Sequence, residues 1–154
     1  MGSTGLPRFS AMTDNADDLY RDVILEHARH PRNAESVANP HKRARASNPL
    51  CGDELEVTLA LDGETIAAIG VQVRGCAIAQ ASTSLMSEVV LGKTLHESDA
   101  LGRAFKEMME GTRMELPEAL NSLKPLEAVR QHSSRITCTL LAWQALGKAA
   151  RQEG

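Results

Sequence analysis

The sequence predicts an α+β domain, a small antiparallel β-sheet with helices packed on one face. Three observations carry that expectation. Apolar residues recur at helical spacing before Pro31 and again over most of the chain after Cys76. Between these stretches Leu55, Val57, Leu59 and Leu61 alternate with polar or small residues, as do Ile69, Val71 and Val73. Asp62-Gly63 separates the two alternating runs and is a strong hairpin turn.

The elements follow in order. Tyr20, Val23, Ile24 and Ala28 mark an amphipathic helix from Asp17 to His30, ended by Pro31. Residues 31–48 carry Asn33, Asn39 and Pro40 without any period and read as a long loop leading to Cys51, a length that in a small domain is often functional. The hairpin comes next, with one buried face. A helix from Ala77 to about Leu91, stopped by Gly92, has Ile78, Leu85 and Val89 on one side. Leu101, Phe105, Met108 and Met109 mark another, opened near Ser98 and closed by Gly111. Pro117 and Pro125 each suit the first turn of a short helix. The last helix starts at Ser133 or Ser134 and reaches about Ala150, with apolar stripes broad enough to pack on several sides. At 154 residues the chain suits one domain, 12–154, while residues 1–11 read as a tag or disordered leader with Met12 as the natural start.

Composition narrows the function. A net charge of -3 with scattered positive residues argues against a general nucleic-acid binder, and the run from Lys42 to Arg45 reads as a solvated loop that could dock an acidic protein. There is no membrane-length apolar stretch and no secretory signal core, so a cytoplasmic protein is expected. Phosphate-loop, nucleophile-elbow and dinucleotide fingerprints are all missing from the sequence. Thiol chemistry remains: three cysteines are too few and too odd in number for a secreted disulfide framework.

Cys51 and Asp53 precede the first strand of the hairpin and Cys76 follows the second, so antiparallel pairing returns them to one end of the sheet. Cys76 also falls at a helix N-terminus, where the partial positive charge favours a thiolate. Three thiolates and a carboxylate can complete a tetrahedral zinc site, yet the spacing fits no zinc-finger rule, in which ligands pair within about four residues. Local sequence leaves bland alternatives open. Cys138, among Ile136, Leu140 and Leu141, reads as a small buried hydrophobe, and Asp53 after Gly52 as a turn or capping residue. The five histidines show no metal-type pairing and read as solvated, with His132 the best spare ligand, and Met86, Met108, Met109 and Met114 read as core filler.

LYRDVILEHARHPRN, NPLCGDELEV, GCAIAQAS and RITCTLLAWQAL, in this order, resemble the IscU/NifU N-terminal family of iron-sulfur cluster assembly proteins, and its SufU branch most closely. The resemblance spans about Asp17 to Gln152 and implies an IscU/SufU-like fold. By motif position it implies metal ligation by Cys51, Asp53, Cys76 and Cys138. Scaffold-type members place a histidine directly before the last cysteine, where this chain has Thr137, and their segment corresponding to Gly92–Ser134 is shorter. Both departures favour the SufU branch.

For that branch the resemblance implies a zinc-dependent sulfurtransferase that accepts persulfide sulfur from a SufS-type cysteine desulfurase and passes it to downstream iron-sulfur assembly proteins. Cys51 is the implied acceptor, freed when a desulfurase histidine takes its place on the metal. Arg135 matches an arginine of the SufU motif and is placed to steady the site's negative charge. Two rivals stand beside this reading. One is a scaffold assembling a transient [2Fe-2S] cluster on the same four residues, and the other a non-catalytic interaction module held together by zinc.

Overall fold

The computed structural model describes residues 8–50, 52–113 and 115–151. Helix α1 (Arg8–Arg29) leads to three strands, β1 (Lys42–Asn48), β2 (Asp53–Asp62) and β3 (Thr65–Arg74). Helices α2 (Ala77–Val90) and α3 (Leu95–Met109), a 3-10 segment (Glu118–Gln131) and helix α4 (Ser133–Arg151) complete the chain. The strands form one antiparallel sheet in the order β1-β2-β3, and α2 and α4 pack on it while α1 lies against α2 and the 3-10 segment. This is the expected α+β architecture. No described helix is long and apolar enough to cross a membrane.

The hairpin follows from the alternation. Leu55, Val57 and Leu59 pair directly with Val73, Val71 and Ile69, and all but the half-buried Val73 are buried under the helices. Gly63 supplies the positive φ of +64° that the tight turn requires. One irregularity lies near that turn: Ala60 pairs with Ala68 and Leu61 with Ile66, so Ala67 is an extra residue that bulges β3. Leu85, Met86, Phe105, Met108, Leu120, Leu126 and Leu141 complete a core that is aliphatic but for Phe105 and Trp143. Burying each such side chain contributes roughly 1.5–3 kcal/mol. Met86, Met108 and Met109 are core filler, as expected, and Met114 lies outside the described residues.

Several expectations need correction. Residues 42–48 are a strand, not the end of a loop. Their apolar members are only Ala44 and Ala46, alternating with Arg43 and Arg45, so a period of two was present without the large side chains that normally reveal it. Lys42, Arg43 and Arg45 therefore sit on an edge strand, where charge discourages further pairing. The hairpin's second face is also not fully open. The Val37 amide donates to Thr58 Oγ1 at 3.0 Å and the Val71 amide to the Asn33 carbonyl at 2.7 Å, so residues 33–37 lie along that side. Gly70 makes room for them, since a Cβ there would stand 2.9 Å from the Val37 nitrogen.

Element boundaries also differ from expectation. Helix α3 begins three residues before Ser98, because Thr94 and Glu97 form a reciprocal capping box. Pro117 and Pro125 do not open two helices: Pro117 precedes a single 3-10 run that passes through the buried Pro125. Helix α1 starts at Arg8, nine residues before the expected Asp17 and inside the segment read as a leader.

Candidate metal centre

The centre is built where the sheet meets the starts of α2 and α4. Strand β1 ends at Asn48, directly opposite Asp53, the first residue of β2. Asn48 shapes the turn between them: its side-chain oxygen accepts from the Leu50 amide at 3.2 Å and its carbonyl from the Gly52 amide at 2.8 Å. Gly52 takes the positive φ, +74°, that closes the turn. Cys51 lies outside the described residues. Its neighbours do not, and Leu50, 94% exposed, and Gly52 stand at the same end of the sheet as Asp53.

Asp53 is 1% exposed and is tied to the next strand's exit. Its Oδ1 accepts from the Cys76 amide at 3.0 Å, and Cys76 Sγ lies 3.7 Å from its Oδ2. Gly75 is what admits the carboxylate. A Cβ there would stand 2.8 Å from Asp53 Cγ, so any larger residue would occupy the space the aspartate uses. The Gln80 side-chain amide donates to the Gly75 carbonyl at 3.1 Å and fixes this segment from within α2.

Cys76 is the N-cap of α2, with extended backbone angles of -70° and 167°, and its sulfur accepts from the Ala79 amide at 3.4 Å. That is the role usually filled by Ser, Thr, Asp or Asn, and it places a sulfur where the helix end favours negative charge. Cys138 comes from α4, one turn in, 2% exposed, with Sγ 3.8 Å from the Ser134 carbonyl. A buried hydrogen bond joins the two cysteine-bearing helices: Ser82 Oγ donates to the Thr139 carbonyl at 2.7 Å, next to Cys138 in sequence.

The ligand atoms of Asp53, Cys76 and Cys138 all lie within 4.8 Å of one another, and no other group of three or more metal-ligating side chains converges among the described residues. The donor set fits zinc. Zinc-sulfur and zinc-oxygen bonds of about 2.3 and 2.1 Å give a tetrahedral sulfur-oxygen edge of roughly 3.6 Å, close to the 3.7 Å separating Cys76 Sγ from Asp53 Oδ2. A carboxylate as buried as Asp53 is also costly to keep charged, a cost that a neighbouring dication offsets.

Other candidate residues fall around this trio. Arg135 is exposed in the first turn of α4, its amide donating to the His132 carbonyl at 2.8 Å. Thr137 and His132 are exposed too. His27 departs from the solvated role expected of it: it is buried between α1 and α2, Nδ1 lying 2.7 Å from Ser84 Oγ. Burial, reinforced by Arg32, holds its pKa below the ordinary value. His41 is structural as well, its Nδ1 accepting the Leu61 amide at 2.9 Å.

The family model for the NifU-like N-terminal domain matches residues 19–152. The chain belongs to that family. It is 35% identical over 91% of its length to the zinc-dependent sulfurtransferase SufU of Bacillus subtilis, covering 95% of that protein. It is 32% identical over 87% of its length to the iron-sulfur cluster assembly scaffold protein IscU of Streptococcus pyogenes, covering 84% of it. The crystal structure of a NifU-like protein N-terminal region from Brucella abortus superposes with a TM-score of 0.80 at 31% identity, over 88% of this chain and 94% of that one. Both the family resemblance and the fold it implied therefore hold.

Several residues that shape the centre carry little signal in the sequence. Gly75 reads there as a neighbour of Cys76 rather than a space for Asp53. Gln80 and Ser82 carried no visible signal, because a polar side chain inside a helix announces nothing about the backbone it will reach. The available clue was the run Gln80, Ser82, Thr83, Ser84 in a helix that must be buried, where hydroxyls need partners.

Proposed function

We propose that this protein is a zinc-dependent sulfurtransferase of cytoplasmic iron-sulfur cluster assembly, accepting persulfide sulfur from a SufS-type cysteine desulfurase and delivering it to downstream assembly proteins. Its metal ligands are Cys51, Asp53, Cys76 and Cys138. The observation that carries the reading is the convergence of a buried carboxylate and two thiols from three separate elements within 4.8 Å, with Cys51 two residues before that carboxylate in the sequence. The likeness to SufU and the presence of Thr137, where scaffold-type members have a histidine, favour sulfur relay over cluster building.

Zinc, when bound, supplies the positive charge that keeps thiols deprotonated at neutral pH. The chain's own residues do the rest. Asp53, anchored by the Cys76 amide, and Cys76, anchored as a helix cap, form the fixed side of the site. Cys51 is the acceptor: its thiolate attacks the outer sulfur of the desulfurase persulfide, the sulfur-sulfur bond there breaks, and the desulfurase cysteine leaves as a thiolate. Cys51 then holds the persulfide, with no net change of oxidation state. Arg135 offsets the negative charge that three thiolates and a carboxylate leave around a dication.

Anaerobic incubation with iron, cysteine and a desulfurase tests this. Retained zinc with a persulfide mapped to Cys51 by mass spectrometry is the expected result, and a stable, transferable [2Fe-2S] chromophore would replace the reading with a scaffold role. Cys51→Ala should leave the fold intact and abolish stimulation of the desulfurase. Full stimulation by that variant would reduce the site to a structural clip.

A further inference from the structure

A cleft between α3 and the C-terminal half of α4 shares no residue with the metal centre. It encloses about 230 Å³. Leu95, Leu140, Trp143 and Leu146 give it an apolar floor, and Trp143 is braced by Phe105, with ring centroids 6.0 Å apart. Its rim is charged and unbalanced. Asp99 is bound to Arg103 at 2.6 Å, which leaves Lys106 and Arg151 with no carboxylate partner among the described residues.

Two helix-interior glycines line the cleft, a placement that needs a packing or functional reason. A Cβ at Gly102 would stand 2.9 Å from Trp143 Cε3, so this glycine lets the indole lie directly on α3. A Cβ at Gly147 would stand 3.2 Å from Arg151 Nη1, so the guanidinium folds back along α4 to the cleft. An apolar floor beneath two cations that no described carboxylate pairs selects a ligand of matching polarity.

We infer that this cleft binds a small amphipathic carboxylate, its hydrocarbon body on Trp143 and the leucines and its charge at Lys106 and Arg151. The volume equals the liquid share of roughly eight waters, room for a ligand of about ten heavy atoms. A neutral ligand would forgo the cations, and a compact inorganic anion would leave the apolar floor unused.

Trp143 is the chain's sole tryptophan, so its fluorescence reads this cleft directly. Titrating the full chain as isolated with octanoate should give a saturable emission change with a dissociation constant of about 1 mM or below. Octanamide, the neutral counterpart, should bind at least about fivefold more weakly, and rising salt should weaken octanoate but not octanamide. A Lys106→Ala, Arg151→Ala double variant should lose about fivefold or more for octanoate alone. An unsaturable response, or equal binding of octanoate and octanamide by the unaltered chain, would overturn the inference, as would undiminished octanoate binding by a double variant with native circular dichroism.

Discussion

The two ends of the sheet are closed by different means. At the hairpin end the closure is almost entirely backbone: the Ile66 amide donates to the Lys93 carbonyl, the Gly92 amide to the Ile66 carbonyl and the Leu95 amide to the Glu64 carbonyl, at 2.8–2.9 Å. The Thr94 capping box then starts α3. At the metal end side chains do the closing: Asn48 shapes one turn, Asp53 grips the Cys76 amide, Gln80 holds the Gly75 carbonyl and Ser82 holds the Thr139 carbonyl. Backbone closure depends on where the chain goes and tolerates many residues. Side-chain closure depends on particular residues, and that is the end where Asp53, Cys76 and Cys138 converge.

Glycines separate the two ends most strongly. Gly75→Val should force Asp53 out of place and eliminate stoichiometric zinc, read by elemental analysis, while helical circular dichroism persists. Gly92→Ala at the other end has open space around it but a φ of +88°, so it should cost about 1 kcal/mol in urea denaturation and leave zinc unaffected. Equal zinc loss in both would erase the distinction.

Smaller effects also distinguish the two ends. Ser82→Ala removes one buried hydrogen bond, expected to cost about 1 kcal/mol, and loosens the tie between the helices bearing Cys76 and Cys138, so a competing chelator should extract zinc faster than from the parent. Thr94→Ala should cost a similar amount, about 1 kcal/mol for a lost N-cap, with chelator kinetics unchanged. Hydrogen bonds from the Thr94 backbone and side chain hold the Glu97 carboxyl below its ordinary 4.5, so its share of stability is present above that value and is lost as pH falls through the lowered one.

Acid probes the helical layer between the two ends. Burial and Arg32 lower the His27 pKa, with Glu88 and Glu26 opposing, so below 6.5 the unfolded chain takes up a proton that the folded chain resists. The stability contributed by neutral His27 is complete above 6.5 and is lost as pH falls through the depressed value. His27→Gln should flatten the fall in stability below pH 6.5, a small effect visible as a reduced shift in denaturation midpoint.

Much of this was legible in the sequence, for reasons that differ by element. Leu55, Val57 and Leu59 declared β2 because large apolar residues alternated, and Asp62-Gly63 declared the turn. The hairpin then brought Asp53 and Cys76 together without any further information. Cys138 was different: nothing local distinguishes a buried thiol that packs from one that ligates, and only its motif tied it to the others. Strand β1 escaped because alanines gave it a pattern without weight. Gly75 and Ser82 escaped because their roles exist only across the tertiary fold, between residues 22 and 57 positions apart in the chain.

Cys76 serves at once as a candidate ligand and as the cap that starts α2. Its sulfur accepts the Ala79 amide, so whatever draws on that sulfur also draws on the first turn of the helix. Amide hydrogen exchange at Ala79 should therefore follow occupancy of the centre, slow when sulfur and amide stay together and faster when they part. A helix end becomes an internal gauge of the site's state, readable without touching the chemistry itself.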